Sequence, residues 1–484
     1  MNELEKAEEK FKGILRKYPT DKLLEYISNK SMEIDLNQQG VVFENNILYS
    51  QWELTQLCYY SIKYSNDYRN MNSEIKMNDF YILLNENRKY DSCMENIKNM
   101  DKIKILEHMQ CLTNVQFDYQ ENRMISRFNR MCKILIDINQ NEDYIKSTKV
   151  YINFSEKFKE ITGIEMLKFI KIYFIIILFI ISTKKNKILN IYDIIKEHIE
   201  KIGITQKECL MAIEYYSKKY SYYRECDNWN SLKFYPIVKT DKNEKYIFTN
   251  IGSFMISFPD IQYWIIRNYY KENESRDFTS YFGECFEIYL KEVFKFYKVN
   301  AKKLEENGRN KVPDWKIETK KYIILVEQKA ALFPIDARVT TSANRYDALE
   351  KYFENIKKAF KQLNSFEIKD NDKKIIRICL TYETIHMTEN AQDLIREIMK
   401  FDDEIYLNWI LNIDEFETLM ELLNESEEKF DNIIEKKIDL EKKDSNEGKS
   451  FESIFEKLES NYAREEINYF NNFIKEIGKE YLQN

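Results

Sequence analysis

This chain is poor in the residues that usually punctuate or staple a fold. Its 484 residues include nine glycines and five prolines, so sharp turns are rationed and long helices should dominate. The three histidines, His108, His198 and His386, are far apart and in no ligand spacing. That argues against a zinc site or a histidine-based active site. Eight cysteines are scattered without a Cys-x-x-Cys pair, a pattern that fits reduced thiols in a cytoplasmic protein and not a disulfide framework. The start, Met1 to Lys6, is charged and amphipathic, unlike a signal peptide. The one membrane-like run, Ile172 to Ile181, has ten apolar residues, well short of the ~20 a spanning helix needs. It reads as a buried core helix, and no membrane partner is expected.

What is present is apolar and aromatic. Hydrophobic residues make up 44% and aromatics 14%, too much for a disordered chain even with 32% charged residues. The length allows two or three domains with their own cores. A net charge of −7 argues against a surface coated in nucleic acid but leaves room for a local basic channel.

Residues 1–230 read as a mainly helical region. Apolar residues recur at three- and four-residue spacing over Leu4 to Tyr18 and Ile103 to Ile138, with a short strand or hairpin around Val41 to Leu48. The aromatics Trp52, Tyr59, Tyr60 and Tyr64 suit packing between helices better than base stacking. Thr205 followed by Glu208 predicts a capped helix start. A helix-turn-helix over Ile191 to Lys219 is the weaker reading there, because its second helix is not notably basic. Residues 231–277 hold a predicted hairpin, Phe234 to Val238 with Lys245 to Phe248, and a helix from Ile261 to Tyr270. Residues 424–484 read as a charged helical tail, with a linker candidate at Asp444 to Ser450.

The chemistry is expected in residues 278–423. There Val312-Pro313-Asp314-Trp315 is followed by the strand Ile323-Ile324-Leu325-Val326-Glu327-Gln328-Lys329. Residues two apart on a strand share a face, so Glu327 and Lys329 emerge side by side while Gln328 points away. Ending a buried strand on two opposite charges is costly unless a site uses them. Glu-x-Lys alone is uninformative, since it recurs at Glu74/Lys76 and Glu427/Lys429 among others. What distinguishes this copy is that it ends an Ile/Leu/Val run one hairpin after Pro-Asp. Two neighbouring carboxylates repel, and an oxygen-loving divalent cation between them resolves the conflict.

Pro313-Asp314 with Glu327-Gln328-Lys329 resembles the signature of the PD-(D/E)XK nuclease superfamily, the restriction-endonuclease-like fold. The resemblance covers about Phe278 to Ile413. It implies an α+β or α/β core in the order αβββαβ, following a large mainly helical region and preceding a helical tail. It implies Asp314, Glu327 and Lys329 as the catalytic set, with Asp314, Glu327 and the Gln328 carbonyl on Mg²⁺ or Mn²⁺. On the first helix, Gly283-Glu284-Cys285-Phe286-Glu287 is similar to the Gly-x-x-Phe-Glu form of the superfamily. That makes Glu287 the candidate additional metal carboxylate and Glu284 its reserve. The crossing helix carries the seam Leu349, Phe353, Ile356, Phe360 and Leu363. Beside it, Gln362 and Lys358 are candidates to contact substrate phosphate, as is Arg338 in the loop before that helix.

The implied function is metal-dependent hydrolysis of phosphodiester bonds in nucleic acid, DNA ahead of RNA, in the setting of defence against foreign DNA. The helical half is expected to choose the target, a protein partner or a second copy. The alternative is a catalytically silent nuclease-like fold that binds nucleic acid or protein. A complete Asp314, Glu327 and Lys329 set favours the enzyme.

Overall fold

The computed structural model describes residues 3–36, 41–44, 47–66, 74–94, 121–145, 150–183, 202–226, 229, 231–240, 245–250, 254, 258–305, 311–330, 332, 345–368, 372–382, 405–442, 451–455 and 460–482. The protein is mainly helical with mixed sheets, an α+β architecture.

The first helices are α1 (Glu3–Leu15) and α2 (Thr20–Leu36). A hairpin of β1 (Val41–Glu44) and β2 (Ile47–Ser50) follows, then α3 (Gln51–Tyr64) and α4 (Met77–Met94). Ser50 and Glu53 close a capping box at the start of α3. Leu54, Leu57, Tyr59, Tyr60 and Ile62 of α3 are buried against Phe11, Leu24 and Phe80. The aromatics of this stretch therefore pack between helices.

Helix α5 (Glu121–Cys132) runs on into a π-helical turn, Lys133–Ile138. Next come α6 (Phe154–Thr162) and α7 (Met166–Thr183). The apolar run lies in α7, where Phe169, Ile172, Tyr173 and Ile176 are buried in the main core. No helix among the described residues is long and apolar enough to cross a membrane. Helix α8 (Gln206–Tyr216) begins on the Thr205/Glu208 capping box that its sequence predicts. The first helix of the helix-turn-helix reading, Ile191 to Ile202, lies almost wholly outside the described residues, as does the linker candidate at Asp444 to Ser450.

Directly out of α8 the chain turns into β3 (Ser217–Lys219). This strand adds in parallel to β4 (Ile237–Lys239), which pairs antiparallel with β5 (Tyr246–Phe248). The predicted hairpin is thus the larger part of a three-stranded sheet, extended by a strand too short to leave a period-two signal. A short helix, α9 (Tyr220–Glu225), separates β3 from β4.

The second half opens with α10 (Ile261–Glu272) and α11 (Asp277–Phe296). The meander follows as β6 (Ala301–Lys303), β7 (Trp315–Glu318) and β8 (Tyr322–Lys329), all antiparallel. Helix α12 (Arg345–Ser365) crosses to β9 (Lys374–Thr381), parallel to β8, and β10 (Asn408–Asn412) adds parallel to β9. The sheet order is β10-β9-β8-β7-β6. Helices α13 (Ile413–Glu425), α14 (Glu427–Lys442) and α15 (Tyr469–Leu482) complete the chain.

Both faces of this five-stranded sheet are covered, and the covering follows the strand's period of two. Ile323 and Leu325 face the α12 seam of Leu349, Phe353, Ile356, Phe360 and Leu363. Tyr322, Ile324 and Val326 face the main core with Phe282, Phe286 and Val293 of α11. Each such fully buried side chain stabilises the fold by about 1.5–3 kcal/mol relative to exposure. That double burial is why β8 reads as a continuous apolar run.

The main core is continuous from Met32 and Phe128 to Ile477. It contains a charged centre: Arg130 of α5, fully buried, donates to Asp414 Oδ1 at 2.8 Å and to both Glu417 oxygens at 3.1 Å. Tyr289 of α11 donates to Glu417 at 2.6 Å. Three segments remote in sequence are joined at one guanidinium, which presents its fork to two carboxylates.

Candidate active site

The alternation along β8 decides where its charges go. Glu327 and Lys329 share the parity of Ile323 and Leu325, so they emerge on the face covered by α12, where the strand runs out of its apolar cover. Gln328 points to the opposite face, where its Oε1 accepts from the indole N–H of Trp315 at 2.9 Å. In the β7–β8 register Trp315 pairs with Val326, and the next step sets Asp314 beside Glu327. Asp314 Oδ2 accepts the backbone N–H of Gln328 at 2.9 Å, which fixes that carboxylate across the hairpin. The carbonyl of Asp314 accepts from Leu304 N–H at 3.1 Å and ties the segment to the end of β6.

Helix α12 contributes the third wall. Gln362 Nε2 donates to Glu327 Oε2 at 2.7 Å and to the Val312 carbonyl at 2.5 Å. Lys329 Nζ donates to the other Glu327 oxygen, Oε1, at 2.6 Å. Asp314, Glu327, Lys329 and Gln362, four of the candidates, therefore meet at one point from strand β8, the residue before β7 and helix α12. Glu327 is only 4% exposed. Burial, with the Asp314 carboxylate beside it, pushes its carboxyl up to about 7 against the opposing pull of Lys329.

Glu287 joins through an intermediary. Its Oε2 accepts from Lys303 Nζ at 2.7 Å, and the same ammonium reaches Asp314 Oδ1 at 3.3 Å. Burial works to raise the Glu287 carboxyl, but Lys303 and Lys291 more than reverse this and hold it below the usual carboxylate range. Glu287 is thus a helix carboxylate tied to the cluster. Lys303 is the residue that the sequence reading missed. Only the register distinguishes it from Lys302, because it is Lys303 that pairs with Trp315. Lys358 is exposed one turn before Gln362 on α12. Arg338 lies outside the described residues.

The donor set suits a hard divalent cation. Two carboxylates stand together and one is driven toward its neutral form, the conflict that a cation relieves. Among the described residues no three His, Cys, Asp or Glu side chains gather around one point. The side-chain donors are therefore Asp314 and Glu327, with the Gln328 carbonyl adjoining. One or two carboxylates is the number Mg²⁺ commonly takes while it keeps several waters. All-oxygen donors also suit Mg²⁺ or Mn²⁺ better than Zn²⁺.

A cleft of about 690 Å³ lies elsewhere, beside the end of α11. Several of its polar groups are spent on one another: Lys133 bridges Asp137 and Glu292 at 3.2 Å each, and Tyr462 donates to Glu292 at 3.0 Å. No family model, no curated protein and no solved structure matches the chain.

Proposed function

We propose that this chain is a divalent-metal-dependent nuclease of the PD-(D/E)XK type that hydrolyses phosphodiester bonds of nucleic acid, DNA ahead of RNA. One observation carries the reading. Asp314, Glu327 and Lys329, singled out in the sequence by Pro-Asp followed by an apolar strand ending in Glu-x-Lys, meet beside Gln362 on a helix–meander–helix–strand unit. The unit's order, α11-β6-β7-β8-α12-β9, supports this reading because it is the order the resemblance implies.

In this reading Asp314, Glu327 and the Gln328 carbonyl would hold Mg²⁺ or Mn²⁺. The ion supplies Lewis acidity, which lowers the pKa of water and offsets charge on phosphoryl oxygens. The chain's own residues supply placement. Gln362 and Lys329 hold the two oxygens of Glu327 separately, so this carboxylate has one orientation. The Gln328 N–H does the same for Asp314. Lys329 brings a full positive charge to the rim of the pair, where it can orient the attacking water or offset charge growing on the phosphate. In-line hydrolysis forms one phosphorus–oxygen bond and breaks another, and it asks little more of the protein than this positioning. Lys358, exposed on α12, is the candidate for substrate phosphate.

The test is a cleavage panel of supercoiled, linear and single-stranded DNA and of RNA, with Mg²⁺, Mn²⁺ or EDTA. Metal-dependent cleavage supports the reading, and the preferred substrate names the class. Binding of nucleic acid without cleavage under any metal would favour the silent module instead.

A further inference from the structure

Lys303 stands between two carboxylates that approach the site from different sides, Glu287 from α11 and Asp314 from the start of β7. Its Nζ donates to Glu287 at 2.7 Å and to Asp314 at 3.3 Å. Its ammonium also lies over the Trp315 ring, 5.2 Å from the centroid. That indole is itself fixed by its bond to Gln328. Strand β6 is three residues long and forms the edge of the sheet, so Lys303 has solvent on one side and its side chain stays 33% exposed.

A unit positive charge therefore sits on the carboxylate that would also hold a divalent ion. The two cations repel, and both need Asp314 oxygens. The two lysines of the site differ in how firmly they are held. Lys329 ends a central strand and bonds a nearly buried carboxylate at 2.6 Å. Lys303 comes from the edge, and its contact with Asp314 is the longer one. It can release Asp314 into solvent-facing space and keep Glu287.

We propose that Lys303 is a displaceable counter-ion of the site: it holds Asp314 while no divalent ion is bound, yields when one binds, and so sets the concentration at which the site fills. The inference rests on the proposed function, because it requires a metal at Asp314. Lys303 is then a positioning residue that trades metal affinity for an ordered site.

The experiment is a titration of the full chain with MgCl₂ and MnCl₂, read by thermal shift without nucleic acid. Lys303→Met should lower the midpoint concentration by about fivefold or more, because the competing charge is gone. Lys303→Arg, which keeps the charge, should stay within about twofold of the unmodified protein. Lys303→Gln serves in place of Lys303→Met if the latter does not fold. Asp314→Asn should abolish the shift. A midpoint unchanged or raised in Lys303→Met overturns the counter-ion while leaving the metal site standing. No metal-induced shift in the unmodified protein overturns both.

Discussion

Gln362 and Glu327 are 35 positions apart in sequence and 2.7 Å apart in space. The contact joins the crossing helix to the end of the central strand. The same Gln362 amide nitrogen holds the Val312 carbonyl, two residues before Asp314. One side chain therefore sets the relative placement of both candidate metal carboxylates. Gln362→Ala should leave the α12 seam packed and lower metal affinity or cleavage by about 10–100-fold, the usual cost of losing a partner that orients a ligand. Far-UV circular dichroism and a metal titration check it. A variant with unimpaired cleavage would mean Glu327 is held by something else.

The Glu327 carboxyl gives a signed pH dependence. Burial and Asp314 push it from 4.5 to about 7, so between those values the folded protein holds a proton that the unfolded chain has lost. Stability is greatest below the unfolded value and falls as pH rises through the folded one. The shift corresponds to about 3 kcal/mol in full. Metal-free protein should therefore melt lower at pH 8 than at pH 5.5, by more than Glu327→Gln does. Added Mg²⁺ should stabilise more at pH 8, where the Glu327 carboxylate is ionised. Melting curves at the two pH values, with Mg²⁺ and with EDTA, decide it.

Arg130 is the keystone of the main core. Arg130→Met would leave Asp414 and Glu417 buried without their cation, and removing one partner of a buried ion pair typically costs about 3–5 kcal/mol. Glu417 already sits above its usual pKa because burial outweighs the guanidinium, so losing Arg130 drives it further toward its protonated form. Thermal melting should show a loss of several degrees or more, largest at neutral pH and smaller at pH 5.

Two glycines separate backbone strain from crowding. Gly163 and Gly203 have φ of +75° and +70°, where an alanine costs about 1–2 kcal/mol. A Cβ on Gly163 would also approach Met211 Cε to 2.6 Å, whereas on Gly203 it meets open space. Met211 Cε is the free end of a flexible side chain, so Gly163→Ala should lower the melting temperature only slightly more than Gly203→Ala. Equal losses would assign the whole effect to backbone conformation.

Several elements were legible because their signals are local. The strand Tyr322–Lys329, the α12 seam and the Thr205/Glu208 cap each follow from a run, a period or a pair within one element. Asp314, Glu327 and Lys329 were legible for the same reason, since hairpin pairing and period-two alternation place them together. Lys303 was not, because its role depends on which of two adjacent lysines lies opposite Trp315. The Arg130 centre was not legible either: its partners stand 284 and 287 positions away, and no periodicity encodes such a pairing. Strand β3 escaped because three residues continuing from a helix carry no alternation of their own.

Whether Asp314 and Lys329 carry out metal-dependent hydrolysis is decided by cleavage of a supercoiled plasmid in Mg²⁺ by the unmodified protein, Asp314→Ala and Lys329→Ala, each first shown to melt as a folded protein. The unmodified protein should cleave in a reaction that EDTA abolishes, and each variant should lose at least about 100-fold, as when a group acting on the transition state is removed. Cleavage that persists in both variants, or that does not need metal, would contradict that assignment.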